Sequence, residues 1–179
     1  MSDFPSLSLV LGGASSGKSA FAERLVLSAK QAPLYIATAQ PYDNEMTRKI
    51  ELHRARRGPE WQLYEAQLDL APLLKSTSDG QIILLDCLTL WLSNLLMASK
   101  KPKAELDNLF DAIGDCAAPV VAVSNELGLG LVPDSKLGRI FREAQGEINQ
   151  RFAAKADLVV FVAAGLPLTL KGKFPEDLK

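Results

Sequence analysis

Eight consecutive residues, "GGASSGKS" from Gly12 to Ser19, fit the pattern G-x-x-x-x-G-K-S/T without a mismatch. Gly12, Gly13 and Gly17 let the backbone curl so that successive N–H groups converge on phosphate oxygens, with Ala14, Ser15 and Ser16 completing the cradle. Lys18 reaches the β- and γ-phosphates, and the Ser19 hydroxyl is placed to ligate Mg²⁺. A nucleoside triphosphate is the ligand this chemistry predicts. Such a site needs an acid at the end of a neighbouring apolar strand, and "QIILLD" supplies Asp86. Ser19 and Asp86 are therefore the candidate metal residues. Asp86 also stands where it can cap a helix starting at Thr89, and the two roles can coexist. Kinases, GTPases, motor ATPases and nucleotidyltransferases share these parts, so they define no single reaction.

The second candidate centre is "RKIELHRARRG", residues 48–58, which places the single histidine of the chain among four arginines and a lysine. Met46, Ile50 and His53 recur at i, i+4 and i+7, which by itself describes a histidine at the edge of a core. Arg54, Arg56 and Arg57 instead supply the positive charge that attack on an α-phosphate requires. An imidazole with a pKa of about 6.5 is mostly neutral, and so nucleophilic, at neutral pH. The residues alone leave both readings open.

These groups must be held by an alternation of short apolar runs and amphipathic stretches, the pattern of βαβ units. Strands are predicted at Leu7–Leu11, Leu34–Thr38, Ile82–Asp86, Val120–Ser124 and Leu158–Val162, most of them continuously apolar, as in sheets covered on both faces. Helices are predicted at Lys18–Lys30, Asn44–Arg56, Thr89–Ser99, Ala104–Cys116 and Ser135–Ala154. A short strand is expected around Trp61–Tyr64 and a hairpin-like pair near Leu166–Leu170. The fold class is α/β: a P-loop NTPase, with a mostly parallel sheet flanked by helices in one domain over 1–179 and a loose tail at 171–179.

The 179 residues suffice for one domain with a real core. A net charge of −1 gives no general attraction to nucleic acid or anionic membrane. Cys87 and Cys116 lack metal or redox spacing and read as reduced thiols of a cytoplasmic protein. No signal peptide is expected in "MSDFPSLSLVLGG", and "IILLDCLTLWLSNLLMA" is too polar and short for a membrane span.

Behind "GGASSGKS" come, in order, "LYIATAQ", "DNEMTRKIELHRARRGPEW", "NELGLGLVP" and "GRIFREAQGEINQRFAAKADLVVFVAAGLP". Taken together these resemble the bifunctional adenosylcobinamide kinase / adenosylcobinamide-phosphate guanylyltransferase family of cobalamin biosynthesis, over roughly Leu7 to Gly172. The resemblance implies a fold like the recombinase-type P-loop ATPases, a homotrimer, and two reactions. A nucleoside triphosphate, GTP or ATP, phosphorylates adenosylcobinamide. GMP then passes from GTP to adenosylcobinamide-phosphate through a guanylylated histidine. Carried onto this chain, the nucleophile is His53. The nucleotide contacts are Gly12–Ser19, Thr38, Ala39, Gln40, and Arg54, Ala55, Arg56 and Arg57, with Glu65 and Asp86 as the acids. Ser15 stands where the family often has arginine. No guanine-reading N-K-x-D motif is present, which counts against an ordinary GTPase switch.

The loop "NELGLGLVP" leaves a strand end, where sites form in open α/β sheets, so Asn125 and Glu126 are either substrate-facing or part of a structural turn. For Arg139, Arg142, Gly146, Asn149 and Gln150 on the following helix, corrinoid contact, subunit contact and plain surface all remain open, with Gly146 expected to permit close packing.

Overall fold

In the computed structural model, residues 4–40, 57–175 and 178 are described. The expected helix Asn44–Arg56 therefore lies outside the described residues. β1 (Leu7–Gly12) enters the phosphate loop and α1 (Lys18–Ser28) leaves it, followed by β2 (Ala32–Ala37). Next come β3 (Gln62–Glu65), α2 (Ala71–Lys75), β4 (Gln81–Asp86), α3 (Leu88–Met97) and α4 (Pro102–Gly114). The chain closes with β5 (Val120–Asn125), α5 (Lys136–Lys155), β6 (Leu158–Ala163) and β7 (Leu166–Lys171).

The strands form one sheet in the order β3-β2-β4-β5-β1-β6-β7. All neighbours are parallel except β6 and β7. Every loop that could carry chemistry thus leaves one end of the sheet. Along β1, Leu7, Leu9 and Leu11 join one core cluster while Val10 joins the other, the period-two alternation of a strand covered on both faces. The first cluster packs Trp91, Leu106, Phe110 and Phe152 of α3, α4 and α5 against the sheet. The second is built from Phe21, Ala22, Leu25 and Val26 of α1. Trp91, deep in the first cluster, still satisfies its indole N–H by donating to the Leu68 carbonyl at 2.9 Å.

The hairpin expected near Leu166–Leu170 is β7 paired antiparallel with β6, with a register shift between Val159 and Val160. The turn between them is Ala164 (φ 51°) and Gly165 (φ 79°), the double left-handed conformation that matches strand twist in two-residue hairpins. The segment expected to be loose begins inside β7, and Phe174 packs on Phe21 with ring centroids 5.8 Å apart. α2 had no counterpart in the sequence reading, because five residues starting Ala-Pro carry no helical period.

Candidate active site

Gly12 is the last residue of β1 and has no room for a side chain. A Cβ there would sit 2.4 Å from Ser16 Oγ and 2.6 Å from the Val162 carbonyl oxygen. Gly17, the N-cap of α1, has φ 90° and supplies the turn into the helix. The loop is braced by backbone bonds: Ser16 N–H donates to Gly13 O at 3.3 Å, and Gly165 N–H donates to Ser16 O at 2.8 Å. The β6–β7 turn, remote in sequence, therefore buttresses the phosphate cradle. Lys18 lies at the first turn of α1 with its ammonium donating to Gly13 O at 3.0 Å.

Burial lowers the Lys18 pKa, opposed by Cys87 and Asp86 nearby. Burial also pushes the Cys87 thiol up to about 12, so at neutral pH Asp86 is the effective countercharge. The fold thus brings Lys18 and Asp86 to one place. Ser19, a half-buried hydroxyl beside Lys18, and the Asp86 carboxylate are hard oxygen donors of the kind Mg²⁺ prefers, so the residues present fit that ion.

Across the sheet, Glu65, Ala37 and Asp86 stand in one row at the strand ends. Glu65 is exposed there, on the outer strand. Thr38 is fully buried, and its hydroxyl accepts from Cys87 N–H at 2.9 Å and donates to Cys87 O at 2.8 Å. That clamps the turn after Asp86, so the Thr38 side chain serves β4. Ala39 and Gln40, half-exposed, are the parts of that segment open to a ligand. Asn94 supports the same junction, donating to Thr38 O at 2.8 Å and Gln67 O at 3.0 Å. Arg57 lies over the Tyr35 ring, its guanidinium carbon 3.4 Å from the centroid. His53, Arg54, Ala55 and Arg56 fall outside the described residues.

Several residues at this end were invisible to sequence reasoning. Tyr35 O–H donates to Asp86 Oδ2 at 2.9 Å. Burial, then the adjacent carboxylate, push the phenol well above its ordinary range, so it is always protonated and always the donor. Its signal was a hydroxyl inside the apolar run "APLYIA", which demands a partner. At the end of β5 a buried amide cluster forms. Gln145 Nε2 donates to Ser124 Oγ at 2.8 Å and Asn149 Oδ1 at 3.0 Å. Ser124 Oγ donates to the same Asn149 oxygen at 2.6 Å, and Asn149 Nδ2 donates to Asn125 O at 3.0 Å. Asn125 N–H in turn donates to Thr89 Oγ1 at 2.9 Å. Asn149 is thereby a structural strut. Arg139 Nη1 donates to Pro133 O and Asp134 O, holding the start of α5, while Gln150 is exposed. Among the described residues nothing packs closely on Gly146, since a Cβ there would meet nothing within 4 Å.

A glycine-rich turn between a central parallel strand and a helix, facing an acid on a strand one place removed, defines a P-loop nucleotide-binding protein. A prototypical ATPase from the type III secretion system of pathogenic bacteria shares this fold, with TM-score 0.52 at 10% identity over 96% of this chain and 60% of that one. Over residues 8–170 the sequence matches the family described as cobinamide kinase / cobinamide phosphate guanyltransferase. The chain belongs to that family. The bifunctional adenosylcobalamin biosynthesis protein CobP of Pseudomonas aeruginosa is 45% identical over 168 residues, covering 92% of this chain and 97% of that protein. The bifunctional adenosylcobalamin biosynthesis protein CobU of Escherichia coli strain K12 is 39% identical, covering 91% and 98%. Among the described residues no helix is long and apolar enough to cross a membrane.

Proposed function

We propose that this chain is a bifunctional transferase of cobalamin biosynthesis. It phosphorylates adenosylcobinamide with a nucleoside triphosphate, then joins GMP from GTP to adenosylcobinamide-phosphate, giving adenosylcobinamide-GDP and pyrophosphate. Family membership across nearly the whole chain carries this reading. The braced phosphate loop with Lys18 and Asp86 supports it chemically.

In the kinase step the γ-phosphoryl group is held by the loop N–H groups and Lys18, while the substrate hydroxyl attacks in line. In the guanylyl transfer, a neutral His53 nitrogen attacks the α-phosphorus and the bond to the bridging oxygen breaks, releasing pyrophosphate into the phosphate loop. The phosphate of adenosylcobinamide-phosphate then attacks the same phosphorus, the P–N bond breaks, and His53 is regenerated. Arg54, Arg56 and Arg57 stabilise charge on the phosphates, with Ala55, Ala39, Gln40 and Glu65 completing the nucleotide contacts, while the buried Thr38, carried over as a contact by the resemblance, holds the turn after Asp86 instead. Ser19 and Asp86 would hold Mg²⁺, which when bound would supply neutralisation of phosphate charge. Assembly as a cytoplasmic homotrimer belongs to the same reading; the leucines at 166, 168 and 170, 57–73% exposed on β7, are apolar surface that such assembly would cover. Light scattering on the purified protein tests it, a monomer mass being the result against.

The deciding experiment uses GTP labelled at the α- or γ-phosphate with Mg²⁺, beside His53→Ala. Acid-labile, alkali-stable label from the α-position, absent in the variant, is the expected result. No covalent label, with γ-transfer to cobinamide intact, would leave a kinase alone and return His53 to the core edge.

A further inference from the structure

A carboxylate that must present one oxygen to a metal ion has a soft torsion to control, because the Cβ–Cγ rotation of aspartate is broad. Asp86 meets this at the end of β4, where no residue of its own strand follows. The control comes from β2. Tyr35 stands opposite Leu84 and Ala37 opposite Asp86, so the phenol leans two residues along the same sheet face to reach Oδ2. The ring itself cannot drift, being 6% exposed, with Trp61 edge-on at 6.3 Å and Arg57 over its face at 3.4 Å.

We propose that Tyr35 is a positioning residue for the Asp86 carboxylate, its ring held in place between Trp61 and Arg57. The inference rests on the metal role of Asp86 stated above. Partners that orient a ligand commonly matter almost as much as the ligand.

Tyr35→Phe keeps the ring, and with it the Arg57 stack, while deleting the donor. GTP binding is measured by calorimetry in EDTA and across a Mg²⁺ titration, with thermal stability recorded in EDTA. The EDTA affinity is expected to stay unchanged. The Mg²⁺ concentration giving half the gain in affinity should rise about fivefold, the worth of one hydrogen bond. A wild-type Mg²⁺ dependence in Tyr35→Phe, whatever its melting temperature, would reduce Tyr35 to a packing residue and overturn the proposal. Asp86→Asn separates the two assumptions: if it leaves the Mg²⁺ dependence intact, the metal role of Asp86 fails, and Tyr35's role with it. The Asp86→Asn/Tyr35→Phe double variant, which leaves no carboxylate without its partner, should titrate like Asp86→Asn alone. Additive effects would mean Tyr35 does not act through Asp86.

Discussion

The loops leaving β1 and β5 begin side by side, Gly12 opposite Asn125, yet they are built in opposite ways. The phosphate loop turns its polar backbone inward and is braced on itself and on the β6–β7 turn. The β5 loop is tied at its root, where Glu126 N–H donates to Gly12 O at 3.0 Å and Gly128 N–H donates to Glu126 Oε1 at 2.6 Å, and from α5 by exposed arginines, Arg139 donating to Pro133 O and Asp134 O and Arg142 to Leu131 O. Its tip shows apolar side chains to solvent, Leu131 being 96% and Leu129 80% exposed. A loop that must meet a small polyanion has to be rigid before the ligand arrives, since each N–H contributes only if already aimed. A loop offering apolar side chains outward has no such donors to aim, and the arginines of α5 hold only its carbonyls. Its tolerance of change should differ accordingly.

The largest expected contrast is in catalysis. Lys18→Ala should lower both transfers by on the order of a hundred- to thousandfold, the worth of one donor to developing phosphate charge. Leu131→Ser should leave GTP affinity and melting temperature unchanged, within about 0.5 kcal/mol as for most surface positions. Product assays with labelled GTP, beside thermal melts, check the pair; a catalytically intact Lys18→Ala would break the comparison at its root.

Next comes glycine tolerance. Gly12→Ala forces a Cβ to 2.6 Å from the Val162 carbonyl and should cost about 1–3 kcal/mol, with nucleotide binding lost as the cradle shifts. Gly130→Ala meets nothing nearer than Leu127 O at 3.8 Å and should be silent. Urea denaturation and calorimetry measure both. Asn149→Ala, which removes the partner of the Ser124 hydroxyl proton, of one Gln145 amide proton and of the Asn125 carbonyl but leaves the Gln145–Ser124 bond, should cost about 1–3 kcal/mol of stability while sparing GTP affinity, if the β5 root is a strut independent of the cradle.

The smallest effect is a pH slope. Cys87 keeps its proton in the fold up to about pH 12 but releases it above about 9 once unfolded. Its raised pKa contributes stability that is complete below pH 9 and declines as pH rises toward 12, by at most about 1.4 kcal/mol per pH unit. Cys87→Ala should flatten that part of the decline in denaturation curves taken between pH 8 and 10.5. The Tyr35 phenol adds a loss of the same sign above pH 10, so some slope should survive.

Sheet and phosphate loop were legible for a simple reason. Strands buried on both faces must be apolar throughout, and the loop's requirements fall within eight adjacent residues. Helix ends slipped by one or two residues because Pro102 begins α4 and Ser135 caps α5, accepting from Gly138 N–H at 3.0 Å, details that periodicity does not resolve. The turn of the β6–β7 hairpin was not legible because Ala164–Gly165 lacks the Asn-Gly signal that usually marks such turns. Gly146, Asn149 and Arg139 carried no pattern that separates contact from strut.

By itself, then, the sequence determined what is local: a nucleotide cradle, the acid on the apolar strand, a basic segment around one histidine, and the family that combines them. The tertiary structure decided which distant groups complete the site. Tyr35 and Asp86 are 51 residues apart, and Ser124 and Asn149 are 25 apart. Such pairs depend on strand register and on how α5 crosses the sheet. No local propensity encodes them, because the free energy that selects them is the burial of the whole core, paired polar groups included.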